Sequence, residues 1–181
     1  MNPILASIVY FFIDLCLLRR APQDLPGSPV LLGLVLVAAL ASSVLVSVTA
    51  GAGLVLAVVQ AFLDLALLLV VLHTAMRMLD RLPRFLQTAT AVAGADTLIG
   101  LVALLPLTLA GPVGGTGGEP GAMTIIAGLL FLVLVVWSIL VSAHILGHAF
   151  DITLGQGAFV AVAYDLISFV LVGGLIETPT S

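Results

Sequence analysis

Apolar residues occur in long runs along this chain, and short polar or glycine-rich segments separate the runs. A membrane-spanning helix needs about 20 mostly apolar residues. Five stretches reach this length, and the first follows the turn-rich segment APQDLPGSP. The predicted spans are residues 30–48, 54–76, 85–109, 123–147 and 157–176. The pattern predicts an all-α polytopic membrane helix bundle with five transmembrane helices, forming a single membrane domain over residues 1–181.

The apolar run at residues 3–18 is slightly short for a span. We expect it to form an interfacial or re-entrant helix that lies against the bundle. A sixth span is the alternative. The positive charges of Arg19 and Arg20 follow this run. A signal peptide carries its positive charge before the apolar segment, so we do not expect one here.

Composition makes the lipid bilayer the expected surroundings of the chain. Of the 181 residues, 62% are hydrophobic and 8% are charged, whereas soluble domains carry about 25% charged residues. A soluble domain of this size has too little interior to hide so much apolar surface. The chain also lacks a basic face for phosphates, which argues against a nucleic-acid partner.

The arginines predict the orientation in the membrane. Arg19 and Arg20 precede the first span, while Arg77, Arg81 and Arg84 lie between the second and third. The positive-inside rule places both clusters, and the N-terminus, in the cytoplasm. The glycine-rich segment GPVGGTGGEPG is then an external flexible linker, and the final ETPTS is also external. Arginine without lysine, beside abundant alanine and glycine, favours a bacterial inner membrane.

Three aspartates, Asp64, Asp96 and Asp165, fall near the middle of predicted spans. Each carboxyl costs roughly 2.5–3.5 kcal/mol at the bilayer centre. No arginine lies at that depth, so at least some of the three are expected to be protonated. One interpretation is a proton or cation pathway. The favoured one is hydrogen bonding between helices, to hydroxyls, Gln60 or backbone carbonyls, because no proline or glycine pair breaks a span at mid-depth.

The segment SAHILGHAFD places His144, His148 and Asp151 on one helix face. Histidines spaced i, i+4 can bind zinc, but no glutamate follows the first one and no cysteine is near. An interfacial polar cluster is therefore favoured, with no metal and no other cofactor predicted. His73 lies near the same membrane face, where it could join the cluster or anchor its helix beside Arg77.

Small residues recur at four-residue spacing, which lets helices approach closely. The pairs are Ala57 and Ala61, Ala89 and Ala93, and Gly157 and Ala161.

The layout resembles a known family. DLPGSP precedes the first of five closely spaced spans, and the fourth span carries VWSILVSAHILGHAF. This resembles the compact bacterial form of the Yip family, the Ypt/Rab-interacting proteins. Members have a cytosolic N-terminus, five spans and a D-L-x-G-P motif, which Asp24, Leu25, Gly27 and Pro29 match with one inserted serine. The long polar N-terminal segment of the eukaryotic members is missing, so a GTPase partner is not carried over.

The resemblance implies a non-enzymatic membrane scaffold or interaction protein. Such a protein would partner another membrane protein, as a subunit of a complex, or a second copy of itself. Enzymatic function is not expected, because the chain has no P-loop, no dinucleotide-binding glycine pattern and no nucleophile elbow. The alternative hypothesis is a small transporter or channel for protons or cations, built on Asp64, Asp96 and Asp165.

Overall fold

The computed structural model describes residues 3–110 and 121–176, so the glycine-rich linker and the final ETPTS lie outside the described residues. These residues form helices and contain no strand, which confirms the all-α fold class. The helices are α1 (Pro3–Cys16), α2 (Pro29–Thr49), α3 (Leu54–Met78), α4 (Phe85–Ala110), α5 (Ala122–Phe150) and α6 (Leu154–Ile176). Short 3-10 helices, Pro22–Asp24 and Leu82–Arg84, precede α2 and α4. Each long helix begins and ends within three residues of its predicted stretch.

Helices α2 to α6 are long and apolar enough to cross a bilayer, which makes the chain a multi-pass membrane protein. The shortest, α2, has 21 residues and measures about 30 Å at 1.5 Å per residue, the thickness of the hydrocarbon core. Helix α1 has 14 residues and reaches only about 21 Å. It is therefore too short to serve as a sixth span.

Local sequence signals explain where the helices begin and end. Helix α2 starts at Pro29, and the Ser28 hydroxyl accepts a hydrogen bond from the Leu31 amide at 3.3 Å. Proline suits the first helical position, and serine is a preferred N-cap. Helix α5 ends at Asp151, whose backbone is left-handed (φ 51°, ψ 48°). Aspartate tolerates this conformation better than most residues, so the chain can turn there into α6.

Helix α4 is the centre of the bundle. It packs along α2 on one side and along α5 on the other. Its residues 88–95 are all buried, and most are alanine, threonine or glycine. The buried Ser42 hydroxyl of α2 donates to the Thr97 carbonyl at 3.2 Å. Small side chains on α4 therefore let both neighbours come close.

The remaining helices complete a ring. Helix α6 packs along α5, and α3 packs along α2. Helix α3 meets α6 over a shorter stretch, and this contact closes the ring. The ring is thus tightly packed around α4 and α5 and more open between α3 and α6.

The predicted small residues lie in these helix contacts. All six are buried: Ala57, Ala61, Ala89, Ala93, Gly157 and Ala161. Gly157 shows why size matters, because a Cβ atom at this position would collide with the backbone carbonyl of Ala143 on α5.

Helix α1 lies against the outside of α4 through its C-terminal turn. Phe12, Leu15 and Cys16 are buried, and the Phe12 ring covers Gly94 of α4. The Trp137 indole N–H of α5 donates to the Cys16 carbonyl at 2.9 Å. Carbonyls in the last turn of a helix lack partners within the helix, so Trp137 satisfies one that would otherwise face apolar surroundings.

Replacing Gly157 with alanine is expected to destabilise the bundle. The added methyl group collides with a backbone carbonyl, so α6 has to move away from α5 at a cost of about 1–3 kcal/mol. Thermal unfolding of the purified protein in detergent measures the effect. Gly155→Ala is the matched control, because no atom lies within 4 Å of a Cβ there. Equal melting temperatures for the two variants would contradict the close α5–α6 contact.

Candidate functional site

The three intramembrane aspartates lie at nearly the same depth. All five arginines of the chain lie near the end of the bundle where α3 and α5 end, here termed the arginine end. Asp64 is 14 residues before the end of α3, and Asp96 and Asp165 are each 11 residues after the start of their helices. At 1.5 Å per residue, the three lie about 16–21 Å from the arginine end.

All three aspartates line one cavity of about 310 Å³ between α2, α3, α4 and α6, here termed the carboxylate cavity. Hydroxyl groups of Ser43, Tyr164 and Ser168 line it as well. A water molecule needs only about 30 Å³ and two to four polar partners. The cavity therefore has the size and polarity to hold several water molecules or a solvated cation.

Asp64 links α3 to α6 across one wall of the carboxylate cavity. The Ser168 hydroxyl donates to Asp64 Oδ1 at 2.7 Å. The Tyr164 hydroxyl donates to the Asp64 backbone carbonyl at 3.4 Å. These bonds lie where the two helices meet only briefly, so they hold the open side of the ring together.

Asp96 and Asp165 have no hydrogen-bond or ion-pair partner among the described residues. Both side chains keep accessible surface, and both line the carboxylate cavity. The two carboxyls are thus free to bind something that enters the cavity.

A second, smaller cavity of about 100 Å³ lies beside the carboxylate cavity, on the side of the arginine end. It is here termed the apolar cavity. Both cavities share Leu68, Asp96, Tyr164 and Asp165 as wall residues. Beyond them the walls are almost wholly apolar, formed mainly by Leu72, Val92, Leu146, Phe150, Val160 and Ala161. The carboxyl groups therefore stand at the junction of a polar and an apolar space.

Gln60 was grouped with the aspartates in the sequence, but it is not among the residues that line either cavity. Tyr164 and Ser168 were not predicted as site residues. The sequence does contain a pattern that could have identified them: polar residues at 164, 165 and 168 recur at helical spacing within an apolar helix.

Asp151 joins two loops at the arginine end. Arg81 donates a hydrogen bond to Asp151 Oδ2, and Arg84 Nη1 lies 3.4 Å from both carboxylate oxygens. The hydrogen bond from Arg81, followed by the charges of both arginines, holds the pKa of Asp151 below its ordinary value. The α3–α4 loop is thereby tied to the turn between α5 and α6.

His144 and His148 hold the segment that follows α1. His144 Nε2 lies 2.9 Å from the Arg20 carbonyl, and His148 Nδ1 lies 2.8 Å from the His144 carbonyl. A carbonyl only accepts, so both ring nitrogens carry protons. The Gln23 amide adds a bond to the His148 carbonyl at 3.0 Å.

His73 does not share these contacts. Its ring packs edge-on against Phe85 with centroids 5.2 Å apart. Within the part of the chain that the structure describes, no group of three His, Cys, Asp or Glu side chains is arranged to hold a metal ion.

Comparison with known proteins leaves function to be inferred from geometry. No protein-family model, curated protein or solved structure matches this chain. The resemblance to the Yip family therefore stays a prediction. The carboxylate cavity has the most specific chemistry, because carboxyl groups from three helices converge on it.

Acid is expected to weaken the ion pairs of Asp151 with Arg81 and Arg84, here termed the Asp151 clamp. The folded-state pKa of Asp151 is lowered, so its contribution to stability is complete above the unfolded pKa of about 3.9 and is lost as pH falls through the folded value. The melting temperature of the wild type should therefore drop more between pH 6 and pH 3 than that of Asp151→Asn.

Asparagine accepts the left-handed backbone at position 151, so this variant tests charge and not strain. Asp80→Asn is the control, since Asp80 is also left-handed (φ 55°) and has no ion pair within residues 3–110 and 121–176. An acid-induced drop of equal size in wild type and Asp151→Asn would contradict the clamp.

Proposed function

We propose that this protein moves protons or cations across a membrane through the carboxylate cavity. One observation carries the proposal: Asp64, Asp96 and Asp165, from three different helices, line a single cavity at mid-depth. Ionisable residues inside a membrane are costly and commonly mark ion or proton pathways.

The chemistry of the cavity suits a positively charged species. Three ionised carboxylates around one small space repel each other. A proton or a bound cation relieves that repulsion, and the hydroxyls of Tyr164 and Ser168 add oxygen ligands. Binding a cation therefore displaces protons, which is the basis of coupled exchange.

In this proposal, the contact between α3 and α6 changes when a cation binds. It is short and depends on the hydrogen bonds between Asp64, Tyr164 and Ser168. A cation that takes up the Asp64 carboxylate competes directly with the Ser168 hydroxyl. Occupancy of the cavity is thus coupled to the link between the two helices.

In this proposal the arginine end faces the cytoplasm of a bacterial inner membrane, following the positive-inside rule. The N-terminal segment then lies on the cytoplasmic side. Buried Leu72 and Phe150 belong to the apolar wall between the carboxyl groups and that side.

The scaffold hypothesis from the sequence is the second candidate. The bond from Ser168 to Asp64 favours it, because a carboxyl that only holds helices together makes such a contact. Under this hypothesis the aspartates stabilise the bundle, the protein has no enzymatic activity, and its function lies in binding another membrane protein or a second copy.

Asp96→Asn separates the two candidates. An amide neither ionises nor releases a proton, so we expect proton or monovalent-cation flux into liposomes to fall at least about tenfold. The melting temperature should stay close to that of the wild type, because Asp96 makes no bond that asparagine would lose.

Asp80→Asn is the control, because it removes one carboxylate from a loop outside the cavity. It should retain full flux. Equal flux in wild type and Asp96→Asn, or no flux in either, would contradict transport and leave the scaffold hypothesis.

A further inference from the structure

We propose that the cation recognised by this site is an amphiphilic organic ammonium ion, with a charged head and a short alkyl tail. The head binds between Asp96 and Asp165, and the tail occupies the apolar cavity. This inference rests on the proposed function and names its substrate class.

The first step is that the two cavities share part of their walls. Leu68, Asp96, Tyr164 and Asp165 form walls of both. A molecule bound at the two carboxyls therefore touches polar space on one side and apolar space on the other. The combined space is in the range of small-molecule sites, about 300–1,000 Å³.

The second step is the head group. Asp96 and Asp165 have no partner among the described residues. An ammonium group donates up to three hydrogen bonds and pairs strongly with carboxylates. The Tyr164 side chain stands beside Asp165 in the same wall, where its ring can attract a cation further.

The third step is the tail. Away from its junction, the apolar cavity is lined by buried Leu72, Phe150 and Ala161 and by partly exposed Val160. A proton or a hydrated metal cation gains nothing from such walls. An alkyl chain does, because each methylene removed from water tightens binding by about fourfold.

The test measures binding of alkylammonium chlorides to the purified full-length protein in detergent at neutral pH by calorimetry. n-Butylammonium is expected to bind roughly 50-fold more tightly than methylammonium, since it buries three more methylenes. Asp96→Asn should abolish binding of both, which excludes partition of the butyl chain into detergent as the source of the signal.

Val160→Phe tests the tail site, because the ring fills part of the apolar cavity. It should reduce the preference for butylammonium over methylammonium at least tenfold and leave the affinity for methylammonium unchanged. Val162→Phe is the matched control: Val160 is 37% exposed and Val162 is 38% exposed on the same helix, but only Val160 lines the cavity. Val71→Phe, on the facing wall from α3, is a second variant with the same expected effect.

Equal affinity for the two ammonium ions overturns the substrate class, as does an unchanged preference in both Val160→Phe and Val71→Phe. If proton or sodium flux still depends on Asp96 in that case, the proposed function survives. If the wild type shows neither flux nor binding of any cation, both proposals fail.

Discussion

A carboxyl group in the middle of a bilayer must face something other than lipid, and this constraint explains much of the architecture. Three helices each carry one aspartate at mid-depth, and all three side chains line the same cavity. Close packing of all five helices would leave no room for these side chains. The ring around a cavity satisfies the constraint, since it gives the carboxyls space for water or a ligand.

The bundle meets this demand by packing tightly on one side and loosely on the other. Alanine and threonine on α4, together with Gly157 on α6, bring the backbones of α2, α4, α5 and α6 close together. Between α3 and α6 the contact is shorter, and hydrogen bonds from Tyr164 and Ser168 to Asp64 cross it. Asp96 lies on α4, in the tightly packed part of the bundle. Asp64 and Asp165 lie on α3 and α6, whose contact is the shorter one.

The sequence predicted the helices well because bilayer thickness imposes a length on every apolar run. It also identified the close contacts, since small residues at four-residue spacing lie on one helix face. It favoured hydrogen bonding between helices for the aspartates; Asp64 makes such a bond with Ser168, and all three aspartates also line one cavity. These helices are apolar on all sides, so periodicity could not reveal how each is rotated or which helix is its neighbour. The hydrogen bond from Trp137 to Cys16 could not be predicted from the sequence either, because it depends on where α1 packs against the bundle.

The clamp at the arginine end bears on how the cavity would open. Arg81 lies three residues after the end of α3, and Asp151 lies three residues before the start of α6, so their ion pair links these two helices at one end. Asp64 and Ser168 tie the same helices at mid-depth. If a cation at Asp64 breaks the inner tie while the outer one holds, only the halves of α3 and α6 remote from the arginines are free to separate. The carboxylate cavity would then open away from the arginine end.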